Sequence, residues 1–404
     1  MHRTFWLKFA VFNFFLVALL GVIMRYKILY SFPFLDQKHL QEAHSHFAFY
    51  GWITHVLYAL IMHYISKVNP LVTLRKYEYL IIINLAASFA MLGTFLYGGY
   101  FWASIAASTT ALLTSFVFCY FFIRDAVKIQ DASKIWFLAG LFFAVISSVG
   151  VFNLSYMMST KNVTQDLYLA SEYYFLHFQY NGFFIFSCIG LLLYSLKEAG
   201  SPISEKKNKI LFWLMFFGCL VGVGLSVLWM KLPAFIFGLI VLATLSQTVG
   251  AVMLFDFVKK SWINLVIKWS PMQRFVLIFV GLAFAVKVAL QLGSNIPALN
   301  QFAFGFRNVV IAYLHLVLLM CIATFLLNQI LATNYFTVSK QLLLGLKLFL
   351  SGIFLNEFLL GLMGIFSIKY VAVPYANHFL LYFSLLIFVS LFLIFVNLKT
   401  KKLN

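Results

Sequence analysis

The sequence has few charged residues, and acidic residues are the scarcest among them. Of 404 residues only 10% are charged, Asp and Glu together number 11, and 63% are hydrophobic, with a mean hydropathy of +0.96. A soluble domain cannot bury so large an apolar surface in one core. A soluble enzyme is therefore excluded, and the composition indicates a lipid bilayer as the solvent of the chain.

Cysteine, proline and several familiar motifs are also scarce or missing. The four cysteines lie inside apolar runs without CxxC spacing, which excludes a disulfide framework and a zinc ribbon. The seven prolines lie mostly at the ends of apolar runs, and no polar linker divides the chain, so we expect a single transmembrane domain over residues 1–404. No GxxxxGK(S/T), GxSxG or HExxH motif and no basic nucleic-acid patch occurs. Nucleotide-driven pumping, serine hydrolysis, zincin chemistry and a nucleic-acid partner therefore have no support.

Apolar runs long enough to cross a bilayer recur along the whole chain, each bounded by short polar or basic segments. This pattern predicts an all-α, polytopic membrane protein of about twelve transmembrane helices. The predicted spans are 6–24, 41–65, 78–97, 101–123, 135–157, 170–196, 210–230, 233–256, 272–292, 308–332, 341–363 and 375–398. If the loops alternate between two sides, most Lys and Arg residues fall on one side, which predicts that both termini are cytoplasmic.

Histidines lie shortly after the start of four predicted helices that enter from the outer side, the second, sixth, tenth and twelfth. At 1.5 Å per residue they lie roughly 5–13 Å below the outer helix ends, so they could meet in one layer. Neutral imidazole is a standard ligand of haem iron and copper, so this layer predicts a metal or haem site. The alternative is that each histidine hydrogen-bonds a neighbouring helix. The candidate metal ligands are His44 and His46 in the second helix, His177 in the sixth, His315 in the tenth and His378 in the twelfth.

Two of these histidines head similar segments. His46 and His177 are each followed by Phe, by aromatic residues, and by glycine at the fifth place, as Gly51 and Gly182. The tenth helix keeps the histidine, His315, without the glycine. This similarity predicts a threefold repeat of four helices. A glycine there would let a flat macrocycle or a neighbouring helix approach the backbone.

Twelve helices with cytoplasmic termini, and histidines near the outer ends of the second, sixth and tenth, resemble subunit I of the haem–copper oxidase superfamily, which includes the nitric oxide reductases. The tenth-helix motif of that family is His-x-His, and here it reads Tyr313-Leu314-His315. By this resemblance His315 binds a low-spin haem b opposite His44 or His46. Those two lie about 200° apart around a helix, so only one can face the haem. The repeat favours His46, whereas the small polar Ser45 that follows His44 favours His44.

The resemblance also implies copper, held by one histidine of the sixth helix and a His-His pair near the seventh. His177 matches the first ligand, but the segment Leu211 to Pro233 contains no histidine, so the copper site is incomplete. Arg307, about two turns outward of His315, is a candidate for pairing with haem propionates.

The family implies a function in electron transfer, or in the binding or reduction of O2 or NO, by an oxidoreductase with an incomplete copper site. It also implies the cell inner membrane, a cytochrome or quinol electron donor and other respiratory subunits as partners. The alternative is a secondary transporter or metal-handling permease that uses the same histidines. A third hypothesis is an assembly or sensing protein without turnover.

Overall fold

A computed structural model of the chain describes residues 2–230, 232–300 and 306–401. The all-α fold class is confirmed, since helices account for most of these residues. The α-helices are α1 (His2–Leu29), α2 (Gln37–His46), α3 (His55–Val68), α4 (Arg75–Gly98), α5 (Trp102–Ala126), α6 (Lys134–Thr160), α7 (Gln165–His177), α8 (Ile185–Glu198), α9 (Glu205–Gly222), α10 (Ala234–Lys260), α11 (Trp262–Lys268), α12 (Pro271–Gly293), α13 (Arg307–His315), α14 (Thr324–Ala332), α15 (Lys340–Ile368) and α16 (Ala376–Asn397).

Three pairs of these helices are joined without a break by π-helical segments. The segments are π1 (Phe47–Thr54) between α2 and α3, π2 (Phe178–Phe184) between α7 and α8, and π3 (Leu316–Ala323) between α13 and α14. A short 3-10 turn, Val223–Val227, extends α9. Two short strands, β1 (Phe336–Thr337) and β2 (Lys399–Thr400), pair antiparallel, so the segments that precede α15 and follow α16 lie side by side.

Eleven helices of the described chain are long and apolar enough to cross a membrane. They correspond to eleven of the predicted spans and support a multi-pass protein in a lipid bilayer. The predicted second span is the continuous helix from Gln37 to Val68, which is not among the eleven. It contains five of the nine histidines, and their polarity lowers its hydropathy. The count of twelve, the cytoplasmic termini and the threefold repeat stay predictions.

Local sequence sets several helix ends. The Asp36 side chain accepts hydrogen bonds from the backbone N–H groups of Lys38 and His39, and so caps α2. Ser270 and Gln273 form a capping box before α12, whose first residue is proline. Gly99 ends α4 with a φ of +62°, a conformation that glycine adopts without strain.

The described residues form two compact units. The first contains the residues up to Phe118 and those from Leu326 onward. In it α1 packs against α16, π1 and α3, α15 packs against α16, and α4 packs against α2 and π1. The ring of Phe14 stacks on Trp52 with centroids 4.3 Å apart, and it meets the Phe349 ring edge to face at 5.6 Å.

The second unit runs from Cys119 to Phe325. In it α6 packs against α7, π2 and α8, while α9 packs against α10, α10 against α12, and α12 against π3. Trp136 is fully buried, and its Nε1 donates to Asn208 Oδ1 at 2.9 Å. Asn208 donates in turn to the carbonyl of Ala132. The single transmembrane domain over the whole chain stays a prediction.

Candidate functional site

A change from α-helix to π-helix follows directly after a histidine in three helices. His46, His177 and His315 each end an α-helix, and the next residue begins π1, π2 or π3. Segments of π-helix are rare and occur frequently at functional sites. The three histidines are also the ones that the sequence repeat aligns. Each therefore has the same place relative to a local distortion of its helix.

Buried side-chain amides from neighbouring helices stabilise π1. Asn84 Nδ2 donates to the Tyr50 carbonyl at 3.0 Å, and Asn13 Nδ2 donates to the Gly51 carbonyl at 2.5 Å. Both asparagines are fully buried in the first unit. A π turn moves backbone carbonyls out of the i→i+4 pattern, and these amides supply donors at that point. Both lie inside apolar runs, which is the signal by which the sequence could have pointed to them.

His46 has a protein partner at each ring nitrogen. Nδ1 donates to the Glu42 carbonyl at 2.9 Å, so the Tyr100 hydroxyl, 3.2 Å from Nε2, acts as the donor there. The ring also stacks on Phe95 with centroids 4.3 Å apart. These contacts hold His46 against α4 and against the segment that follows it.

His44 is half-buried in the same unit and lies against α1. Its Cε1 atom lies 3.6 Å from the point that a Cβ on Gly21 would occupy. A Cβ at Gly21 would make ordinary van der Waals contact with the imidazole, so His44 packs against the backbone of α1 at this glycine. His44 and His46 face different neighbours, as their angular separation around the helix predicts.

His177 is 2% exposed, and both of its ring nitrogens are engaged. Nε2 donates to the Cys219 carbonyl at 2.8 Å, and Nδ1 accepts from Asn181 Nδ2 at 3.2 Å. The Cys219 thiol lies 4.0 Å from Nε2. Among the described residues no group of three or more His, Cys, Asp or Glu side chains could hold a metal ion. The neighbours of His177 in the described chain therefore do not fit a copper site.

His315 is half-buried in the second unit, and its Nδ1 donates to the Ile311 carbonyl at 2.9 Å. With the proton on Nδ1, the lone pair of the ring lies on Nε2, which is the usual arrangement of a metal-binding histidine. Tyr313 occupies the predicted place of the high-spin ligand, and its hydroxyl is hydrogen-bonded to that of Tyr180. The two rings meet edge to face with centroids 6.3 Å apart.

The remaining candidates lie near helix starts. His378 is half-buried in the first turn of α16, with its ring 6.1 Å from that of Tyr375. Arg307 is the first residue of α13, and its side chain lies outside the part of the chain that the structure describes. Of the histidines, His44, His46 and His378 belong to the first unit, and His177 and His315 to the second.

The repeat glycines bring aromatic rings close to the backbone. A Cβ on Gly182 would lie 2.4 Å from Phe143 Cβ on α6, and a Cβ on Gly51 would lie 2.7 Å from the Phe47 ring. Of the two predicted uses of these glycines, the close approach of a neighbouring helix is the one found at Gly182.

No model of a known protein family matches the chain, and a comparison with curated proteins finds no match. The chemistry of the side chains described above is therefore what a proposal of function rests on.

Proposed function

We propose that the chain is a haem-binding, multi-pass protein of the cell inner membrane, which acts in electron transfer or in the binding or reduction of a diatomic gas. The observation that carries the proposal is the hydrogen bond from His315 Nδ1 to the Ile311 carbonyl. It orients the imidazole and directs the lone pair of Nε2 away from the helix backbone, as in histidines that bind haem iron. The resemblance to subunit I of the haem–copper oxidases supplies haem b as the cofactor.

The second axial ligand is proposed to be His44 rather than His46. Both ring nitrogens of His46 already have partners in the protein, Glu42 and Tyr100. Binding of iron by its Nε2 would break the hydrogen bond from the Tyr100 hydroxyl. His44 faces Gly21 of α1 instead. His46 then has a packing role between helices.

A haem b held by two histidines would supply one-electron exchange between ferrous and ferric iron, and loss of one of the two ligands would open a coordination position for O2 or NO. The chain's own groups hold and orient that cofactor. His315 presents Nε2, the Ile311 carbonyl fixes its tautomer, and π3 begins at the residue after the ligand. Arg307 remains the candidate for a haem propionate.

Copper is not part of the proposal, because the described neighbours of His177 do not supply its ligands. The electron donor is proposed to be a cytochrome or a quinol, and other respiratory subunits are proposed partners. Twelve crossings, cytoplasmic termini and a threefold repeat complete the proposed architecture.

The test is a reduced-minus-oxidised visible spectrum of the detergent-purified protein, expressed with ample haem. We expect a sharp b-type α band that disappears in His315→Ala and in His44→Ala but survives in His46→Ala. His63→Ala is the matched control, since His63 lies on the same continuous helix as His44 and its Nδ1 is 3.0 Å from the Tyr335 hydroxyl. Survival of the band in His315→Ala would contradict the ligand assignment.

A colourless wild-type protein would overturn the haem proposal itself. The transporter or metal-handling permease would then become the leading hypothesis. Loss of the band in His46→Ala, with survival in His44→Ala, would exchange the roles of the two second-helix histidines and leave His315 as a ligand.

A further inference from the structure

The short helix α11 lies between the ends of two long apolar helices. α10 ends at Lys260, α11 runs from Trp262 to Lys268, and α12 begins at Pro271. Both α10 and α12 are long and apolar enough to cross a membrane, whereas α11 has only 7 residues and a length of about 10 Å. α11 therefore lies where its two neighbours leave the bilayer, at the level of the lipid headgroups.

One face of α11 is buried and the other is apolar and exposed. Leu265 is fully buried in the second unit. Ile263 and Ile267 are 75% and 73% exposed, and Val266 is 44% exposed. Residues three and four positions apart lie on the same side of a helix, so Ile263, Val266 and Ile267 form one apolar strip. Such a strip is favoured at the boundary between headgroups and acyl chains rather than in water.

Exposed lysines stand at both ends of α11. Lys259 lies shortly before the helix, Lys268 is its last residue, and neither forms an ion pair with a described carboxylate. The carboxylate of Asp256, in the last turn but one of α10, pairs with Lys260 instead. Two cations close to the apolar strip are therefore free to bind an external anion.

The start of α9 adds two more lysines on the same side. α9 and α10 are successive helices that pack along each other, so the start of α9 lies beside the end of α10. Asn264 of α11 fixes this arrangement, because its Nδ2 donates to Ser201 Oγ at 2.7 Å, shortly before α9 begins. Lys206 and Lys207 are exposed there and form no ion pair with a described carboxylate, whereas Lys209 pairs with its own helix.

We propose that α11 lies in the plane of the membrane and binds anionic phospholipids. The docking surface, called the α11 surface below, consists of the apolar strip and the four lysines without an ion pair, two beside α11 and two at the start of α9. The strip enters the acyl-chain boundary, and the ammonium groups bind the phosphates. Phosphatidylcholine carries a cation of its own, so the surface favours lipids with a net negative charge. None of these residues is a candidate haem ligand, so the proposal is independent of the haem.

The test uses the full-length protein with Ile267→Cys, labelled with bimane at that cysteine and reconstituted in phosphatidylcholine vesicles. A nitroxide near the headgroup end of an acyl chain quenches bimane, so lipids bound at α11 lower its fluorescence. Spin-labelled phosphatidylglycerol and spin-labelled phosphatidylcholine are compared at equal mole fraction. We expect phosphatidylglycerol to be preferred about tenfold, since one lysine near an anionic surface changes binding about fivefold. Protein without the added cysteine gives the background of the native thiols.

The variants distinguish the α11 surface from the general positive charge of the protein. Lys259→Gln combined with Lys268→Gln should remove most of the preference for phosphatidylglycerol. Lys399→Gln combined with Lys401→Gln is the matched control, because it removes two exposed lysines of the first unit, and it should leave the preference unchanged. Equal preference in the two double variants would overturn the proposal.

The starting protein provides two further outcomes. Equal quenching by the two spin-labelled lipids would overturn the proposal without any lysine variant. Strong quenching by aqueous iodide, with none by either lipid, would show that the strip faces water and would point to a soluble partner instead. The haem band should persist in Lys259→Gln combined with Lys268→Gln, which separates a failure here from a failure of the haem proposal.

Discussion

Gly182 decides how closely π2 approaches α6. Its missing side chain leaves the space that Phe143 fills, and the Phe143 ring stacks on Phe178 with centroids 5.6 Å apart. A methyl group at this point would meet Cβ of a buried residue, which has no freedom to move away.

We therefore expect Gly182→Ala to lower the free energy of unfolding by about 1–3 kcal/mol, the usual cost of overpacking a core. Gly238→Ala is the control, because a Cβ on Gly238 of α10 would meet no atom within 4 Å. At position 238 the higher helix propensity of alanine should raise the free energy of unfolding by up to about 1 kcal/mol. Thermal unfolding in detergent measures the Tm of both variants. Equal Tm values for Gly182→Ala and Gly238→Ala would contradict the packing argument.

Asp131 forms a buried ion pair in the loop between α5 and α6. Its carboxylate is 2% exposed and lies 2.7 Å from Lys197 Nζ, which is half-exposed. Burial alone would raise the pKa of Asp131, but hydrogen bonds from Lys197 and from the Ser133 N–H hold it below the ordinary value of 3.8. A carboxyl whose pKa is lower in the folded protein stabilises the fold above the unfolded pKa. That stabilisation is lost as the pH falls through the folded pKa.

Asp131→Asn should therefore lower the free energy of unfolding by about 1–3 kcal/mol at neutral pH, the usual range for a buried charged hydrogen bond. The difference from wild type should shrink once the pH falls below 3.8. Asp256→Asn is the control, because its pair with Lys260 is exposed and is expected to contribute less than about 1 kcal/mol. Tm measured against pH tests this, and a pH-independent difference would argue against the ion pair.

At the residue scale, the sequence predicts which side chains are unusual but not what they contact. A histidine at position 177 and a lysine at position 287 stand out in apolar runs, because ionisable groups in a membrane are costly. The hydrogen bond from His177 to the Cys219 carbonyl joins residues 42 positions apart. No sequence periodicity predicts such a contact. Whether His177 has the neighbours of a copper ligand could therefore be judged only from the folded structure.

At the element scale, the π segments set the register of three helices. A turn closed by i→i+5 hydrogen bonds contains one residue more than an α turn. Removing a residue from π1 can convert it to α-helix while α2 and α3 keep their packing. Removing a residue from α3 rotates every following side chain by about 100°.

We therefore expect deletion of Ala48, the half-buried residue of π1, to yield a folded protein with a moderately lower Tm. Deletion of Ala59, buried in α3, should prevent folding because the side chains that follow it in α3 are mostly buried and would all be rotated out of their packing. Size-exclusion profiles and Tm values compare the two. If both deletions were equally harmful, π1 would not behave as an insertion of one residue.

Hydropathy predicts where most long helices lie but not their internal geometry. The predicted span 135–157 corresponds to α6 (Lys134–Thr160), since the apolar run and the flanking polar residues mark its ends. π1 and π3 lie within apolar runs, and the side-chain donors to π1 come from helices distant in sequence. Asn13 and Asn84 illustrate this, because no local pattern links Asn13 to the Gly51 carbonyl or Asn84 to the Tyr50 carbonyl.

At the scale of the whole molecule, the uneven distribution of Lys and Arg predicts which side each loop occupies. Val163 lies in the exposed loop after α6, and Lys206 is exposed at the start of α9. The native cysteines lie within apolar helices, so we expect them to react little with a water-soluble maleimide. In intact cells, a membrane-impermeant maleimide should label Val163→Cys and spare Lys206→Cys until the membrane is opened. The reverse pattern would invert the predicted topology.

The pairing of β1 with β2 has a consequence for biosynthesis. Thr337 pairs with Lys399, and the Lys401 N–H donates to the carbonyl of Tyr335, whose hydroxyl in turn contacts His63. β2 follows α16 directly, so it cannot reach β1 until the ribosome has delivered both α15 and α16 and the membrane has received them. The backbone of the segment around Tyr335 therefore stays unpaired while α15 and α16 are synthesised. Pairing of β1 with β2 is then a late step of folding. It follows the correct insertion of α15 and α16 into the membrane and indicates that this insertion has taken place.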